Sequence, residues 1–170
     1  IKKCLAVTPY YNKPSQKGLE LHYIELSKVG AEIILYNVPG RTGVDLLPTT
    51  IEKLIEIKTI AGIKEAVNTE ERFLALSKIK DKRQDFQLYS GDDPSYVEFM
   101  KFKGDGVISV AANVMPREIK ELSNLCLAGN FIEAEKTIKN YQEIFKLLFT
   151  ESSPSPCKFI LEKLYVGNST

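Results

Sequence analysis

Along the first two thirds of the chain, short apolar runs rich in β-branched residues alternate with longer stretches of helical periodicity. The short runs are apolar on both faces, which is typical of parallel strands covered by helices. A succession of strand–helix units of this kind predicts a right-handed parallel sheet. The predicted strands are residues 4–7, 33–36, 60–64, 86–89 and 107–110.

The helices between these strands are indicated by residues that begin or end a helix. Ser15 can cap a helix that ends at Gly30, and Pro48 can open the next one. Apolar residues at helical spacing predict two more helices, at about 69–80 and about 94–103. The first two thirds of the chain are therefore α/β.

After the fifth predicted strand the periodicity becomes helical throughout. One helix ends near Gly129, the next carries one broad apolar stripe over residues 131–148, and a last helix covers about 158–164. We therefore predict two segments, an α/β segment over residues 1–114 and a helical extension over residues 115–170.

Composition narrows the classes of function. The 170 residues carry a formal net charge of +1, which gives neither nucleic acid nor an anionic membrane an electrostatic attraction, and no apolar run has membrane-spanning length. Cys4, Cys126 and Cys157 are far apart, which predicts reduced thiols in the cytoplasm and no metal site. His22 is the only histidine, so His-based metal sites and Ser-His-Asp triads have little to build on.

Lys64 carries the sharpest chemical signal. It follows Ile60 to Ile63 at the carboxyl end of a predicted buried strand, where function collects in parallel α/β folds. Burial favours the neutral amine, and a neutral amine can attack a carbonyl. The alternative is a lysine that extends to solvent or pairs with Glu65.

Other strand ends carry polar residues with weaker signals. The phenol of Tyr36 can relay a proton, or the ring can be an amphipathic aromatic at a sheet rim. The guanidinium of Arg41 suits a carboxylate, or it makes a surface ion pair. Asp92 and Asp93 follow Gly91 and are more typical of a helix cap than of a metal site.

Five motifs stand at the strand ends, and they are Thr8-Pro9-Tyr10-Tyr11-Asn12-Lys13-Pro14, Tyr36-Asn37-Val38-Pro39-Gly40-Arg41-Thr42-Gly43, Gly62-Ile63-Lys64-Glu65-Ala66, Ser90-Gly91-Asp92-Asp93 and Gly106-Val107-Ile108-Ser109-Val110. Taken in order, they resemble the dihydrodipicolinate synthase family of pyruvate-dependent Schiff-base aldolases. The resemblance covers nearly the whole chain, with the family's order and close to its spacing. It implies a partial (β/α)8 TIM barrel, about the last five βα units, followed by C-terminal helices.

The resemblance implies a lyase that joins pyruvate to L-aspartate 4-semialdehyde in lysine and diaminopimelate biosynthesis. Lys64 is similar to the lysine that forms an imine with pyruvate, and Tyr36 to the proton-relay tyrosine. Tyr11 is similar to the tyrosine that completes the relay in a neighbouring subunit. Arg41 is similar to the arginine that receives the carboxylate of the second substrate. No metal or organic cofactor is implied, because the imine is itself the electron sink.

Further residues follow from the same resemblance. Ile108 is expected to line the pyruvate pocket with Gly91 nearby, and Tyr10 is similar to a tyrosine of the lysine-feedback site. The family forms a homo-oligomer, a dimer of dimers. Its Gly-Thr-Thr-Gly segment and final helices have no counterpart here, so we expect about three βα units to lie upstream, and Ser153-Pro154 replaces its usual Asn-Pro.

Two alternatives stay open at this stage. One is another pyruvate aldolase such as N-acetylneuraminate lyase, against which Arg41 in the Pro-Gly-Arg-Thr-Gly loop argues, since the lyases differ most there. The other is a non-catalytic remnant that associates with a longer relative through the surface of Tyr10 and Tyr11. The first alternative is distinguished from the family interpretation by the aldehyde that condenses with pyruvate. Failure of the chain to fold alone would favour the second.

Overall fold

The computed structural model describes residues 1–165 and contains one parallel sheet whose strands lie in sequence order. This confirms the α/β class and the five predicted strands, four of them to within one residue at each end. The carboxyl ends of all the strands therefore lie on one edge of the sheet. The strands are β1 (Lys3–Val7), β2 (Glu32–Asn37), β3 (Ile60–Glu65), β4 (Gln87–Ser90) and β5 (Gly106–Val107).

The predicted extent of β5, residues 107–110, was wrong. The amide of Ile108 still donates to the carbonyl oxygen of Ser90, at 2.9 Å. The amides of Val110 and Ala111 instead donate to Asp93, and a 3₁₀ turn begins at Ala111. A side chain from the neighbouring connection therefore takes the place of the strand ladder.

The helices occupy the positions that their capping residues indicate. Ser15 accepts the amide of Gly18, Thr69 accepts the amide of Arg72, and Gly30 ends the first helical stretch with φ of 83°. The helices are α1 (Gln16–Leu26), α2 (Pro39–Thr42), α3 (Pro48–Leu54), α4 (Glu70–Lys82), α5 (Tyr96–Lys101), α6 (Pro116–Leu127), α7 (Phe131–Lys139), α8 (Gln142–Leu147) and α9 (Ser155–Tyr165).

The helical predictions differ from the structure at two places. The single stripe over residues 131–148 belongs to two helices, because the amides of Asn140 and Tyr141 bond three residues back, to Thr137 and Ile138, and interrupt the α-helical ladder. The short helix α2 was missed, since its four residues are too few for periodicity to register.

Two apolar clusters fill the molecule. The first lies between the sheet and helices α1, α3 and α4, and includes Leu35, Ile63 and Phe73. The second joins the C-terminal helices to α5, with Met100 and Leu122 among its members. The helical extension therefore packs on the α/β segment. The boundary after residue 114 stays a prediction, and the last five residues of the extension lie outside the described residues.

The close approach of β3 and β4 explains why residue 62 is a glycine. A Cβ on Gly62 would lie 2.5 Å from the carbonyl oxygen of Gln87 on the neighbouring strand. Any side chain here would push β3 away from β4 at the level of the residues that precede Lys64. Within residues 1–165, no helix combines the length and apolarity needed to cross a membrane.

Candidate active site

The site forms where β2 and β3 end. In the register of these strands Tyr36 lies opposite Lys64, and Asn37 lies opposite Glu65. Side chains alternate between the faces of a strand, so the first pair projects to one side of the sheet and the second pair to the other. The Nζ of Lys64 lies 4.3 Å from the centre of the Tyr36 ring, over its face.

Burial sets the electrostatics of Lys64. The residue as a whole is 9% exposed. Loss of solvation lowers the pKa of the amine, and the negative charge of Asp93 opposes that shift. The alternative of a lysine that extends to solvent or pairs with Glu65 was wrong. Lys64 is buried, and Glu65 projects from the opposite face and pairs with Arg72 at 3.2 Å.

Tyr36 is half-buried beside the amine. Burial raises the pKa of its phenol, and the positive charge of Arg41 lowers it in part. A protonated phenol is thus maintained at neutral pH, and it can donate a proton or receive one back. The ring face also attracts the amine in its ammonium form.

A cavity of about 460 Å³ opens beside these two residues. Its wall comes from the ends of β2, β3 and β4 and also from the connection after α8. Lys64, Tyr36, Arg41 and Gly91, all predicted as site residues, are brought together here. The lining residues are Tyr36, Val38, Pro39, Gly40, Arg41, Lys64, Ala66, Val67, Gly91, Asp92, Val110, Phe149 and Ser153.

A larger cleft of about 730 Å³ lies along α9 and contains none of the strand-end residues. Its lining is largely apolar, and the one amine among its described residues, Lys158, is exposed. The smaller cavity, where a buried amine adjoins a phenol, is therefore the candidate active site.

Arg41 stands at the mouth of the cavity on α2. Its Nη1 lies 3.4 Å from the Oγ of Ser152 and 3.4 Å from the carbonyl oxygen of Ser153. The guanidinium is exposed and makes no ion pair among the described residues, so donors remain for an incoming carboxylate. Ser153, like Phe149, belongs to the helical extension, which the sequence did not indicate as part of the site.

Gly91 lies directly against the amine-bearing side chain. A Cβ at this position would be 3.1 Å from the Cε of Lys64 and 3.1 Å from the carbonyl oxygen of Glu65. The amide of Gly91 donates to that same carbonyl at 2.6 Å. The absence of a side chain therefore leaves the amine room between β3 and β4.

Three of the predicted residues lie outside the cavity wall. Ile108 is half-buried at the end of β5, whereas the wall there is formed by Val110. Tyr10 is 62% exposed and lines a separate apolar cleft together with Tyr36 and Arg41. Tyr11 is 94% exposed, and its phenol is free of any contact with the cavity in this chain.

Asp92 and Asp93, the acidic pair after Gly91, have different structural roles. Asp92 accepts the amide and hydroxyl of Ser95 and so closes the turn that leads into α5. The prediction that Asp92 or Asp93 caps this helix was wrong, because the cap position of α5 is Ser95. The Oδ2 of Asp93 accepts the amides of Val110 and Ala111. Its buried Oδ1 has no hydrogen-bond partner in residues 1–165. No group of three potential metal ligands gathers in that same part of the chain.

The comparisons with known proteins agree on one family. The model of the dihydrodipicolinate synthetase family matches residues 1–170. The 4-hydroxy-tetrahydrodipicolinate synthase of Buchnera aphidicola subsp. Schizaphis graminum is 43% identical over 165 residues, which is 96% of this chain and 55% of that protein. Its counterpart from Methylococcus capsulatus is 44% identical, over 95% of this chain and 55% of its own length.

Solved structures give the same result. The dihydrodipicolinate synthase from Acinetobacter baumannii, complexed with pyruvate, superposes with a TM-score of 0.89 at 39% identity, covering 96% of this chain and 56% of that one. The enzyme from Thermotoga maritima gives a TM-score of 0.87 at 40% identity over 91% of this chain and 53% of its own. The chain thus spans about half the length of the relatives it matches.

Proposed function

Since the chain belongs to the dihydrodipicolinate synthetase family, we propose that the protein condenses pyruvate with L-aspartate 4-semialdehyde to give 4-hydroxy-tetrahydrodipicolinate. The relatives that match almost all of this chain are named as that synthase. The chain covers about 55% of their length, and the activity proposed is that of the whole protein. N-acetylneuraminate lyase is not favoured, because no relative reported above carries that name.

One observation supports the proposal above the others, namely the amine of Lys64 over the ring of Tyr36 at the edge of a cavity. A buried amine has a larger neutral fraction at a given pH than an exposed one, because burial lowers its pKa. A phenol within reach of the same reacting centre supplies the acid and base that imine chemistry requires.

The proposed first stage forms the imine. The neutral Nζ of Lys64 attacks the carbonyl carbon of pyruvate, the oxygen is protonated and leaves as water, and a protonated imine remains. Loss of a proton from the methyl group then gives an enamine, with the electron pair drawn toward the iminium nitrogen. The imine is the electron sink in this scheme, so the proposed chemistry enlists no metal or organic cofactor.

The second stage forms the carbon–carbon bond. The enamine carbon attacks the aldehyde carbon of L-aspartate 4-semialdehyde, whose oxygen takes up a proton. The amino group of that substrate then attacks the imine carbon, which closes the ring and releases Lys64. In this scheme Tyr36 donates a proton to the oxygen that leaves as water and accepts the proton lost from the methyl group, and Arg41 receives the carboxylate of the second substrate.

Roles for the remaining residues follow from the family. We assign Gly91 and Ile108 to the pyruvate pocket and Tyr10 to a lysine-feedback site. We assign Tyr11 to the proton relay of a neighbouring subunit in a homotetramer. The high exposure of Tyr11 supports that assignment, because a side chain that projects from its own subunit is available to another. We also propose that the protein is located in the cytoplasm.

Borohydride trapping tests the proposal directly. Wild-type protein is incubated with pyruvate and borohydride, and the adduct is located by intact mass and peptide mapping. We expect a stable adduct on Lys64 that is lost in Lys64→Ala and retained in Lys158→Ala, a control at another lysine that lines a cleft. A folded wild-type sample that gives no adduct would refute imine formation by this chain and favour the non-catalytic alternative.

A further inference from the structure

A buried polar cluster lies behind the site, on the opposite face of the sheet. We use the name strand-end cluster for Asn37, Asp45, Glu65 and Arg72. Asn37 and Glu65 occupy the last positions of β2 and β3, each one residue beyond the pair that faces the cavity. The Nδ2 of Asn37 donates to both carboxylate oxygens of Glu65, at 3.0 and 3.1 Å.

Further bonds tie the cluster to the surrounding elements. Arg72, on α4, donates to Glu65 at 3.2 Å and to Asp45 at 2.5 Å. Asp45, in the connection between α2 and α3, also accepts from Asn37 at 2.7 Å. The carboxylate of Glu65 reaches forward to accept the amide of Val67 at 2.7 Å.

The connections that the cluster holds are those that wall the cavity. Asn37 lies between Tyr36 and Val38 in the chain, and Glu65 lies between Lys64 and Ala66. All four of these neighbours line the cavity. A shift of either strand end would therefore move the cavity wall on both sides of the reacting amine.

Stability alone is a weak reason for such a cluster. Asn37 and Glu65 are almost completely buried, and desolvating a charge costs as much as a buried ion pair returns. Buried ion pairs are often replaced by apolar residues without loss of stability, and apolar residues would not fix the two strand ends to each other in one geometry. Directional hydrogen bonds supply that geometry, and it is the property the cavity face requires.

We infer that the strand-end cluster is a positioning device that holds the end of β2 against the end of β3 so that the amine of Lys64 stays over the ring of Tyr36. The inference rests on the proposed function for the role of those two side chains. None of the four cluster residues touches the substrate in this scheme, and each acts through the backbone of its neighbours.

NMR tests directly whether the side chain of Lys64 lies over the ring of Tyr36. Methylene protons above an aromatic ring resonate upfield, so the ε-methylene of Lys64 is expected to be shifted upfield from those of exposed lysines. Samples carrying ¹³C-labelled lysine are recorded for the wild type, with assignment by the signal lost in Lys64→Ala. Tyr36→Leu removes the ring and gives the unshifted position.

Glu65→Gln is the decisive variant, because it keeps the shape and one acceptor oxygen but replaces the other oxygen of the carboxylate, to which Asn37 and Arg72 donate, with a donor. In the folded variant we expect the Lys64 signal to move at least halfway toward the Tyr36→Leu position. Borohydride trapping at saturating pyruvate is expected to slow about tenfold. The matched control is Glu32→Gln, which makes the same change in an exposed ion pair at the opposite end of β2, and it should leave the signal in place.

If Glu65→Gln does not fold, Asp45→Asn is the second variant to test, because Asp45 is the partly exposed member of the cluster. It should displace the Lys64 signal in the same direction by a smaller amount. An unchanged signal in either folded variant would overturn the inference. Failure of the proposed function would look different, because wild-type protein would then show the upfield signal but form no pyruvate adduct.

Discussion

Tyr36 and Lys64 lie opposite each other on adjacent parallel strands, and the amine of one stands over the aromatic face of the other at 4.3 Å. The contact stabilises the ammonium form, whereas burial of the same amine favours the neutral form. Both effects act on the amine that, in the proposed mechanism, must lose a proton before it attacks pyruvate. The pH dependence of that attack is therefore the most direct readout of the site.

The first prediction concerns Asp93, whose charge raises the pKa of Lys64 against the effect of burial. The trapping rate should rise with pH as the amine is deprotonated and level off above its pKa. In Asp93→Asn that pKa falls further, so the plateau should begin at lower pH. Rate–pH profiles with saturating pyruvate measure this.

Asp85→Asn is the control for Asp93→Asn, since Asp85 is exposed and its partner is Arg83 near the start of the strands. Its profile should superimpose on that of the wild type. An Asp93→Asn profile that also superimposes on the wild type would show that this carboxylate does not act on the amine.

The second prediction concerns the phenol of Tyr36. Tyr36→Phe keeps the ring beneath the amine and removes only the hydroxyl. General acid–base catalysis is worth about 10²–10⁴-fold, so exchange of the pyruvate methyl protons with deuterated solvent should slow by about 10²-fold or more. Proton NMR of pyruvate follows the exchange. Tyr165→Phe, at an exposed tyrosine of α9, should exchange at the wild-type rate, and equal rates in all three proteins would remove Tyr36 from the relay.

The third prediction concerns the space beside the amine. In Gly91→Ala the new methyl group would meet the Cε of Lys64 and the carbonyl of Glu65 at 3.1 Å. Overpacking of this kind costs about 1–3 kcal/mol of unfolding free energy. A displacement of about 1 Å at a reacting group can cost about 10²-fold in rate, and trapping should fall by up to that factor.

Gly106→Ala is the matched substitution for Gly91→Ala, because its Cβ would meet Tyr89 at an ordinary 3.6 Å. Denaturant unfolding and trapping rates are compared for the two variants. If Gly106→Ala lost as much trapping activity as Gly91→Ala, the close approach of Gly91 to the amine would not be the cause.

The fourth prediction concerns the pH dependence of stability. Burial raises the pKa of Glu65 to about 7, in spite of its bonds to Arg72, Val67 and Asn37. A carboxyl group with a raised pKa binds its proton more tightly when folded, so its contribution is complete below about pH 4.5 and is lost as pH rises through 7. The wild type should lose about 3 kcal/mol over that window from this group.

Glu65→Gln has no proton to release, so the difference in unfolding free energy between the wild type and the variant should change with pH across the same window. Urea unfolding at a series of pH values between 4 and 8 measures it. A difference that is constant over this range would show that Glu65 is ionised throughout.

The fifth prediction concerns the amino end of the sheet. The guanidinium of Arg83 donates to four backbone carbonyls within residues 55–60, at 2.8 to 3.1 Å. Arg83→Ala removes all four of these charge-assisted bonds, although the carbonyl of Ile57 keeps the amide of Ile60 at 2.9 Å, and unfolding free energy should fall by about 3 kcal/mol. The trapping rate of the folded protein should be unaffected, because Arg83 lies at the amino end of the sheet, far from the carboxyl ends of the strands that form the cavity. A reduced trapping rate per folded molecule would contradict this.

The fold was predictable from sequence where a short-range rule decides the structure. Apolar runs such as residues 60–64 become parallel strands because both of their faces must be buried, and Ser15 and Thr69 begin helices because their side chains accept orphan amides. The break between α7 and α8 was not predictable, since the apolar stripe continues across it and only the local bonding of Asn140 and Tyr141 interrupts the helix.

The site was predictable in part for the same reason. Parallel strands place all their carboxyl ends on one edge, so Lys64, Tyr36 and Gly91 were expected near one another. Glu65 was considered only as a partner for Lys64, whereas the alternation of strand side chains sends it to the opposite face, where Arg72 lies. That alternation was readable in the sequence, but the partner on α4 was not.

The sequence by itself determined the order of strands and helices, the edge on which the polar residues collect, and the amine that a carbonyl substrate would meet. These depend on neighbours close along the chain and on the period of the strand. The tertiary structure decided that Lys64 lies over Tyr36, that Phe149 and Ser153 wall the cavity, and that Arg72 joins Glu65. Distances between residues remote in sequence depend on strand register and helix packing, which are set only when the whole core forms.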